Sequence, residues 1–334
     1  MNINQAHASI SFELFLDIVT VIGFSVMSYY ALTTYTAYDT LPVMIPATAP
    51  ELISKTEKAP LVETGIYIHD FTEFDIVQGR FLVDLALWFR FDPKKISIDA
   101  IDQFTFEKAE IKSKSEPMMA VVDSHLFVYY TMRVLFELPL NYRTFPFDDH
   151  HISFTLINEK LGADKIKLDQ TKDNIVLNPE MHVDGWRIKG KSVHIGYGKT
   201  DIMIEGKEQE EFHPRAVFTL EFGRTSARHL ISIFLPLLLI FFISLFSFSF
   251  AIDEQEAKET NLIDLSSSSI FGIVAYRFVI ETMSPSVGYF MLSDYIFVFF
   301  LLMGTFILFL NSVVEGMNSL QKNMVVLGRK IEIK

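Results

Sequence analysis

The chain has no cysteine, which excludes a disulfide framework and a thiolate metal site, and leaves no trace of the redox state of its compartment. Positive charge is scarce too. Its 29 lysines and arginines face 41 aspartates and glutamates, and the resulting net charge of −12 argues against a nucleic-acid partner. There is no basic run, Rossmann fingerprint, P-loop or zinc-ligand spacing, and no internal repeat or low-complexity tract. These absences lead us to expect neither an enzyme nor a cofactor or metal site.

What the chain does have is apolar mass. Half of its 334 residues are hydrophobic, 32 are Phe, and mean hydropathy is +0.28, rich for a soluble protein and lean for a pure membrane bundle. Four stretches have the character of membrane spans. His229–Phe250 carries no charge beyond its first residue, and Tyr295–Leu310 is an unbroken apolar run that Phe290 and Val314 extend to spanning length. Glu259–Pro285 is half apolar. Phe12–Leu32 is apolar except for Glu13 and Asp17, and those acids, with no Lys or Arg ahead of them, make it a poor cleavable signal. We read it as a retained helix. Lys322, Arg329, Lys330 and Lys334 place the C-terminus in the cytoplasm. Four spans then put residues 36–225 outside, with Arg224 and Arg228 as structural charges.

The outer region reads as β. Phe81, Val83, Leu85, Leu87, Phe89 and Phe91 alternate with Arg80, Asp84 and Arg90, and Val128–Leu138, Ile152–Leu156 and Ala216–Phe222 alternate likewise. Joined at Asp92–Pro93, Asn178–Pro179 and Gly196–Gly198, these strands predict an antiparallel β-sandwich. The polar, proline-bearing Tyr38–Pro60 reads as a linker. Domain limits follow: an N-terminal helix (1–36), a linker (37–63), the sandwich (64–225), three further helices (226–316, with 259–285 the central one) and a tail (317–334).

Within 259–285 the residues Asp264, Ser268, Phe271, Ala275, Phe278 and Thr282 recur every three or four positions, one helix face that is polar below and aromatic above. An ionisable residue at bilayer depth must meet protein or water. The stripe fits the wall of a gated pore, and small residues such as Ser266–Ser269 and Gly272 fit close helix packing equally well.

Phe145-Pro146-Phe147-Asp148, in a loop bounded by Leu138 and Ile152, resembles the signature loop of the pentameric ligand-gated ion channels, the Cys-loop receptor superfamily. Leu138 and Ile152 stand where animal receptors place two cysteines, and prokaryotic members lack that disulfide. Arg224 precedes Pro236 by twelve positions, like the arginine and helix proline that open the family's first channel helix. Ser266–Pro285, with Glu281-Thr282 just before the proline, looks like the pore helix and its following turn, and Tyr289 and Asp294 resemble the start of the third helix. The resemblance covers about residues 64–315. Two features depart from the family. Nothing after Asn311 is long or apolar enough for the usual fourth helix, so Phe12–Leu32 either docks in its place or serves as a targeting anchor. The family's tryptophan-proline-aspartate segment is not visible between Asp92 and Val128, which puts its usual agonist pocket in doubt.

The resemblance implies a homopentamer in a bacterial inner membrane, with the sandwich on the periplasmic side and helices around a pore. Asp264 would form a carboxylate ring that holds cations. Ser267 and Ser268 would offer hydroxyls to a partly dehydrated ion, Phe271 and Phe278 would close by dewetting, and Ala275 and Thr282 would complete the lining. Arg277 and Glu281 read as a salt bridge near the outer mouth. Domain coupling would use Asp75, Phe145, Pro146, Asp148, Arg224 and Pro285, with His150 and His151 as idle neighbours. Trp186 and Tyr197 are aromatic candidates for a ligand site, core packing being the other reading of Trp186. The acids of Glu205–His213, among them Glu208, Glu210 and Glu211, resemble the pocket-capping loop. They read either as a sensor of protons or Ca²⁺ or as a solvated charged tip. The expected function is a cation channel gated by an unidentified ligand, its partners being the bilayer and permeating cations. A non-conducting receptor of the same architecture is the alternative, disfavoured by the short tail, and a membrane-anchored adhesin would have no need of the stripe.

Overall fold

The computed structural model describes residues 44–169, 174–204, 207–225, 228–250 and 262–332, with Ile22, Val26 and Tyr29 in isolation. Apart from those three positions, the helix read over Phe12–Leu32 lies outside the described residues, as does Glu205. Two compact units are present: a β unit, from Tyr38–Asn141 and Asp149–Ser226, and a helical unit that takes Tyr142–Asp148 and the chain from Ala227 onward.

In the β unit, β1 (Leu61–Asp75), β2 (Arg80–Phe91), β4 (Ala109–Lys114), β5 (Met118–Val122), β6 (His125–Glu137), β8 (Lys167–Asp169) and β9 (Ile175–Leu177) form one sheet. A second contains β3 (Thr105–Phe106), β7 (Asp149–Ile157), β10 (Trp186–Ile204) and β11 (Lys207–Arg224), in the order β10-β11-β7-β3. The period-two residues of β2, β6, β7 and β11 are buried; Leu138, one residue beyond β6, is half-buried. Their inner faces meet through aromatic rings, as in a β-sandwich: Phe136 lies 4.5 Å from Phe154, and Phe71 lies 5.6 Å from Phe222, edge to face.

Three sequence expectations change here. The sheets are not wholly antiparallel, because β8 and β9 run parallel to β1; the chain reaches that edge by a crossover from β7, and a crossover, unlike a hairpin, delivers a parallel strand. Gly196–Gly198 is no joint but the middle of β10. A β-carbon at Gly196 would sit 2.7 Å from the Ile45 carbonyl, and Ile45 pairs there with Tyr197 through bonds of 2.9 and 2.8 Å. The stretch read as a linker contains α1 (Pro50–Thr56), whose fully buried Leu52 packs in a cluster with Ala163, Tyr197 and Phe212. The β1–β2 turn demands glycine: Gly79 has φ +65 and would place a β-carbon 2.2 Å from the Leu138 carbonyl oxygen.

In the helical unit, α3 (Arg228–Phe250), α4 (Leu262–Met283) and α5 (Leu292–Glu332) pack around Leu237, Phe241, Ile273, Ile296, Phe300 and Ile307. Ile263–Met283 and Leu292–Val313 are long and apolar enough to cross a membrane, and α3 contains the shorter apolar stretch Ile231–Leu245. α5 continues through the segment read as a tail, for 41 residues in all.

On the outer face of β2 and β6, Arg133 Nε and Nη2 donate to the two Asp84 carboxylate oxygens at 2.6 and 2.8 Å. This bidentate fork holds the Asp84 carboxyl below its ordinary value of 3.8. A depressed folded-state value contributes stability in full above the ordinary value, and that stability is lost as pH falls through the lowered one. Thermal unfolding followed by circular dichroism should show the parent more stable than Asp84→Asn at pH 6, with the gap closing below about pH 4; a gap independent of pH refutes the assignment.

Candidate functional site

The face of α4 singled out by its spacing is one that the described residues leave uncovered. Asp264, Ser268, Ala275 and Thr282 are exposed, and Phe271 and Phe278 retain 74% and 69% of their accessible surface, values no core aromatic shows. The opposite face is buried at Ser266, Ser269, Ile273 and Ile280. Packing thus belongs to one side of the helix and the stripe to the other.

Several anchors fix that rotation. The Tyr276 hydroxyl donates to the Ser232 carbonyl on α3, and Gly272 lets α3 approach so closely that a β-carbon there would meet Ile240 at 3.1 Å. Toward α5, Asn311 Nδ2 donates to Ser266 Oγ at 3.2 Å. One heptad and a half further along α4, Arg277 pairs with Asp294 of α5 and with Glu281 one turn ahead at 3.1 Å; the salt bridge expected of Arg277 and Glu281 is present and has a third member. Asp294 is nearly buried and also accepts the Met291 N–H at 2.7 Å, so one carboxylate caps the start of α5 and holds α4 to it.

Two hydroxyls on or beside the stripe have their protons committed. Ser267, half-buried, donates to the Asp264 carbonyl at 3.1 Å, and Thr282 donates to the Val279 carbonyl at 2.8 Å. A hydroxyl whose proton is spent on its own helix presents its oxygen lone pairs as acceptors. With the Asp264 carboxylate, the stripe can therefore receive cations and donors better than anions.

The signature loop is built into the same unit. The N–H groups of Leu292 and Ser293, unsatisfied at any helix start, donate to the carbonyls of Arg143 and Phe145 at 2.9 and 3.1 Å. Tyr142 N–H donates to the Tyr289 hydroxyl at 3.0 Å, and the Arg143 guanidinium lies 5.2 Å from the Tyr289 ring centre. Phe145, whose peptide bond to Pro146 is cis, is buried, as are Asp148 and Pro285, whereas Phe147 stacks on Phe234 of α3 at 5.7 Å. Of the coupling set, Phe145, Pro146, Asp148 and Pro285 thus belong to the helical unit and Asp75 and Arg224 to the β unit. Asp75 accepts the Gln78 N–H in the β1–β2 turn at 3.0 Å. Arg224 lies over Trp186 at 4.4 Å, and the buried His150 packs on the same ring at 5.4 Å.

The expected ligand aromatics are otherwise engaged. Trp186 is half-buried between Arg224, His150 and Phe74. Tyr197 is buried, donates to the Ile166 carbonyl at 3.1 Å, and burial pushes its phenol up to about 12. The acidic segment is a strand arm: from Lys207 it belongs to β11, paired with β10. Glu210 receives Lys199 at 2.6 Å and Glu211 lies 3.6 Å from His213, so cross-strand and local partners offset the charge crowding there; Glu208 is placed in β11 opposite Met203. Tyr142, Arg143, Tyr276 and Asn311 escaped the sequence reading. Asn311, a polar residue following an apolar run, gave the only local signal.

No protein-family model matches the chain, and no curated protein sequence matches it.

If the Arg277–Asp294 pair holds α4 to α5, Arg277→Met and Asp294→Asn should each lower unfolding stability by on the order of 2 kcal/mol, and the double variant by clearly less than the sum. Additive losses in denaturant unfolding would show that the pair is not energetically coupled.

Proposed function

We propose that this chain is one subunit of a cation-selective membrane channel of the pentameric ligand-gated type, five copies enclosing a conduction path lined by α4. The observation that supports this most directly is the uncovered stripe Asp264–Thr282 on a helix otherwise locked to its neighbours. A helix that only packed or anchored would have no use for a carboxylate, acceptor hydroxyls and two exposed phenyl rings on one face.

In that assembly Asp264 repeats as a ring of carboxylates, raising the local cation concentration and opposing anions. Ser267 and Ser268 replace part of the ion's hydration shell. Phe271 and Phe278 form apolar constrictions that empty of water when narrow, with Ala275 leaving width between them. The β unit stands on the periplasmic side of a bacterial inner membrane and receives the stimulus, and the Phe145-Pro146 loop passes it to the start of α5. The acids Glu208, Glu210 and Glu211 remain a candidate sensor of protons or Ca²⁺, with Trp186 and Tyr197 supporting their hairpin rather than touching ligand.

Planar-bilayer recording under a tenfold KCl gradient tests the assignment. Asp264→Asn should move the reversal potential toward zero and reduce conductance, and Asp264→Lys should abolish or nearly abolish cation current. Reversal potentials unchanged in both variants would remove Asp264 from the path, and assembled protein that never conducts would favour the non-conducting receptor.

A second expectation concerns the gate. Phe271→Ser should give current at rest, because a hydrophobic constriction excludes water only while its lining cannot bind it; a resting leak equal to that of the parent, at equal assembly, counts against this ring.

A further inference from the structure

Of the helices, α1 and α2 (Ile98–Asp102) have seven and five residues, too few for a repeating face. α5 has 41, and only part of it is needed to cross a bilayer. Its stretch Leu292–Val313 is long and apolar enough to do so. The helix then runs on to Glu332, so residues 314–332 rise about 28 Å further.

Within the span, one face of α5 is uncovered among the described residues: Leu302, Phe306, Phe309 and Val313 keep 65%, 45%, 62% and 43% of their surface. In a bilayer, lipid satisfies such a face. The same face continues past the span, where Met317, Leu320, Met324, Leu327 and Ile331 follow Val313 at steps of four, three, four, three and four. At about 100° per residue, all of these positions from Leu302 to Ile331 fall within an arc of roughly 80°. In water that seam has no lipid to cover it. Opposite it, Glu315, Lys322 and Arg329 recur every seven residues, the polar row found across from a strict heptad seam.

Gly316, Asn318, Asn323 and Gly328 are poor helix formers, and an isolated stretch of this length and composition is marginal in water. The helix there draws on packing. A β-carbon at Gly316, beside the seam, would meet nothing within 4 Å, so the described residues of its own chain do not supply that packing. A seam with a period of 3.5 stays in contact only with a helix that winds about it with the same period. Copies of this chain provide one. Spans that cross one membrane in one direction deliver residues 314–332 parallel and at equal depth, which is register. The positions flanking the seam, Val314, Gly316, Gln321, Asn323, Gly328 and Lys330, carry one charge among them, so like charges do not oppose the pairing of identical helices.

We propose that residues 313–331 of α5 form a parallel, in-register coiled coil with the same residues of other copies of this chain, beyond the membrane face. The proposal rests on α5 crossing a bilayer, and not on conduction or on the number of subunits.

The absence of native cysteine makes the test direct. Full-length single-cysteine variants Leu320→Cys, Leu327→Cys and Lys322→Cys are treated in membranes with a short bifunctional maleimide, and the covalent dimer is followed on denaturing gels. A bridge between identical positions forms readily only where a residue meets its own counterpart. Leu320→Cys and Leu327→Cys should cross-link about tenfold faster than Lys322→Cys, because thiols held in contact react at high effective concentration. Adding Met324→Asp to Leu320→Cys should slow its cross-linking about tenfold, a charge being costly inside a seam, whereas adding Met324→Leu should not. Thermal unfolding of the β unit should be the same in both, which separates a loosened seam from a misfolded chain. Equal rates on the two faces, no bridge at 320 and 327, or indifference to Met324→Asp each overturns the proposal. A conducting channel without these bridges would leave the channel reading standing, and bridged protein that never conducts would leave the coiled coil standing.

Discussion

The first turn of α5 is the fixed point of the helical unit. A helix begins with N–H groups that have no partner in its own backbone, and here the carbonyls of Arg143 and Phe145 take those of Leu292 and Ser293. Because both sides of these bonds are main chain, the start of α5 is set by the path of the Tyr142–Asp148 segment. Asp294 then converts that position into a constraint on α4, accepting from Met291 and Arg277 together. With Asn311 and Ser266 closing the other end, α4 has one orientation open to it. The exposed stripe is what that orientation leaves over.

The β unit is held differently. Its aromatic interior tolerates many partners for each ring, since dispersion and burial are non-directional, and direction comes from polar contacts at the rim. Arg133 fixes β6 against β2 through Asp84, Gly79 admits the carbonyl of Leu138 into the β1–β2 turn, and Ile45 stitches the segment ahead of β1 onto β10. Each acts where an apolar contact could slide.

Period-two burial made the strands of both sheets legible, because side chains that face an interior alternate with those that face water. The 3–4 spacing of Asp264 to Thr282 was legible for the corresponding reason on a helix. Local pattern misled where a residue's role lay in a distant contact. Gly196 and Gly198 read as a turn, yet Gly196 is small to admit Ile45. Leu52 and Ile45 are too sparse to show a period, so a packed helix read as a linker. The acids before His213 read as a loop because what pairs them lies far along the chain: β10 runs opposite, and its Lys199 meets Glu210. The anchors of the stripe were legible in part: Gly272, Ser266 and Arg277 showed as packing or charge, whereas their partners on other helices did not, because Tyr276 meeting Ser232 or Asn311 meeting Ser266 joins residues remote in the chain.

The length of α5 carries a mechanical consequence. At 1.5 Å per residue its 41 residues extend about 60 Å, roughly twice the hydrocarbon thickness of a bilayer, about 30 Å. A continuous α-helix resists torsion because turning one segment against the next strains every bond of its ladder. The part of α5 beyond Val313 is therefore a shaft: whatever angle the Arg143 and Phe145 carbonyls impose at its head is delivered, with little slack, to a point far from where it was set.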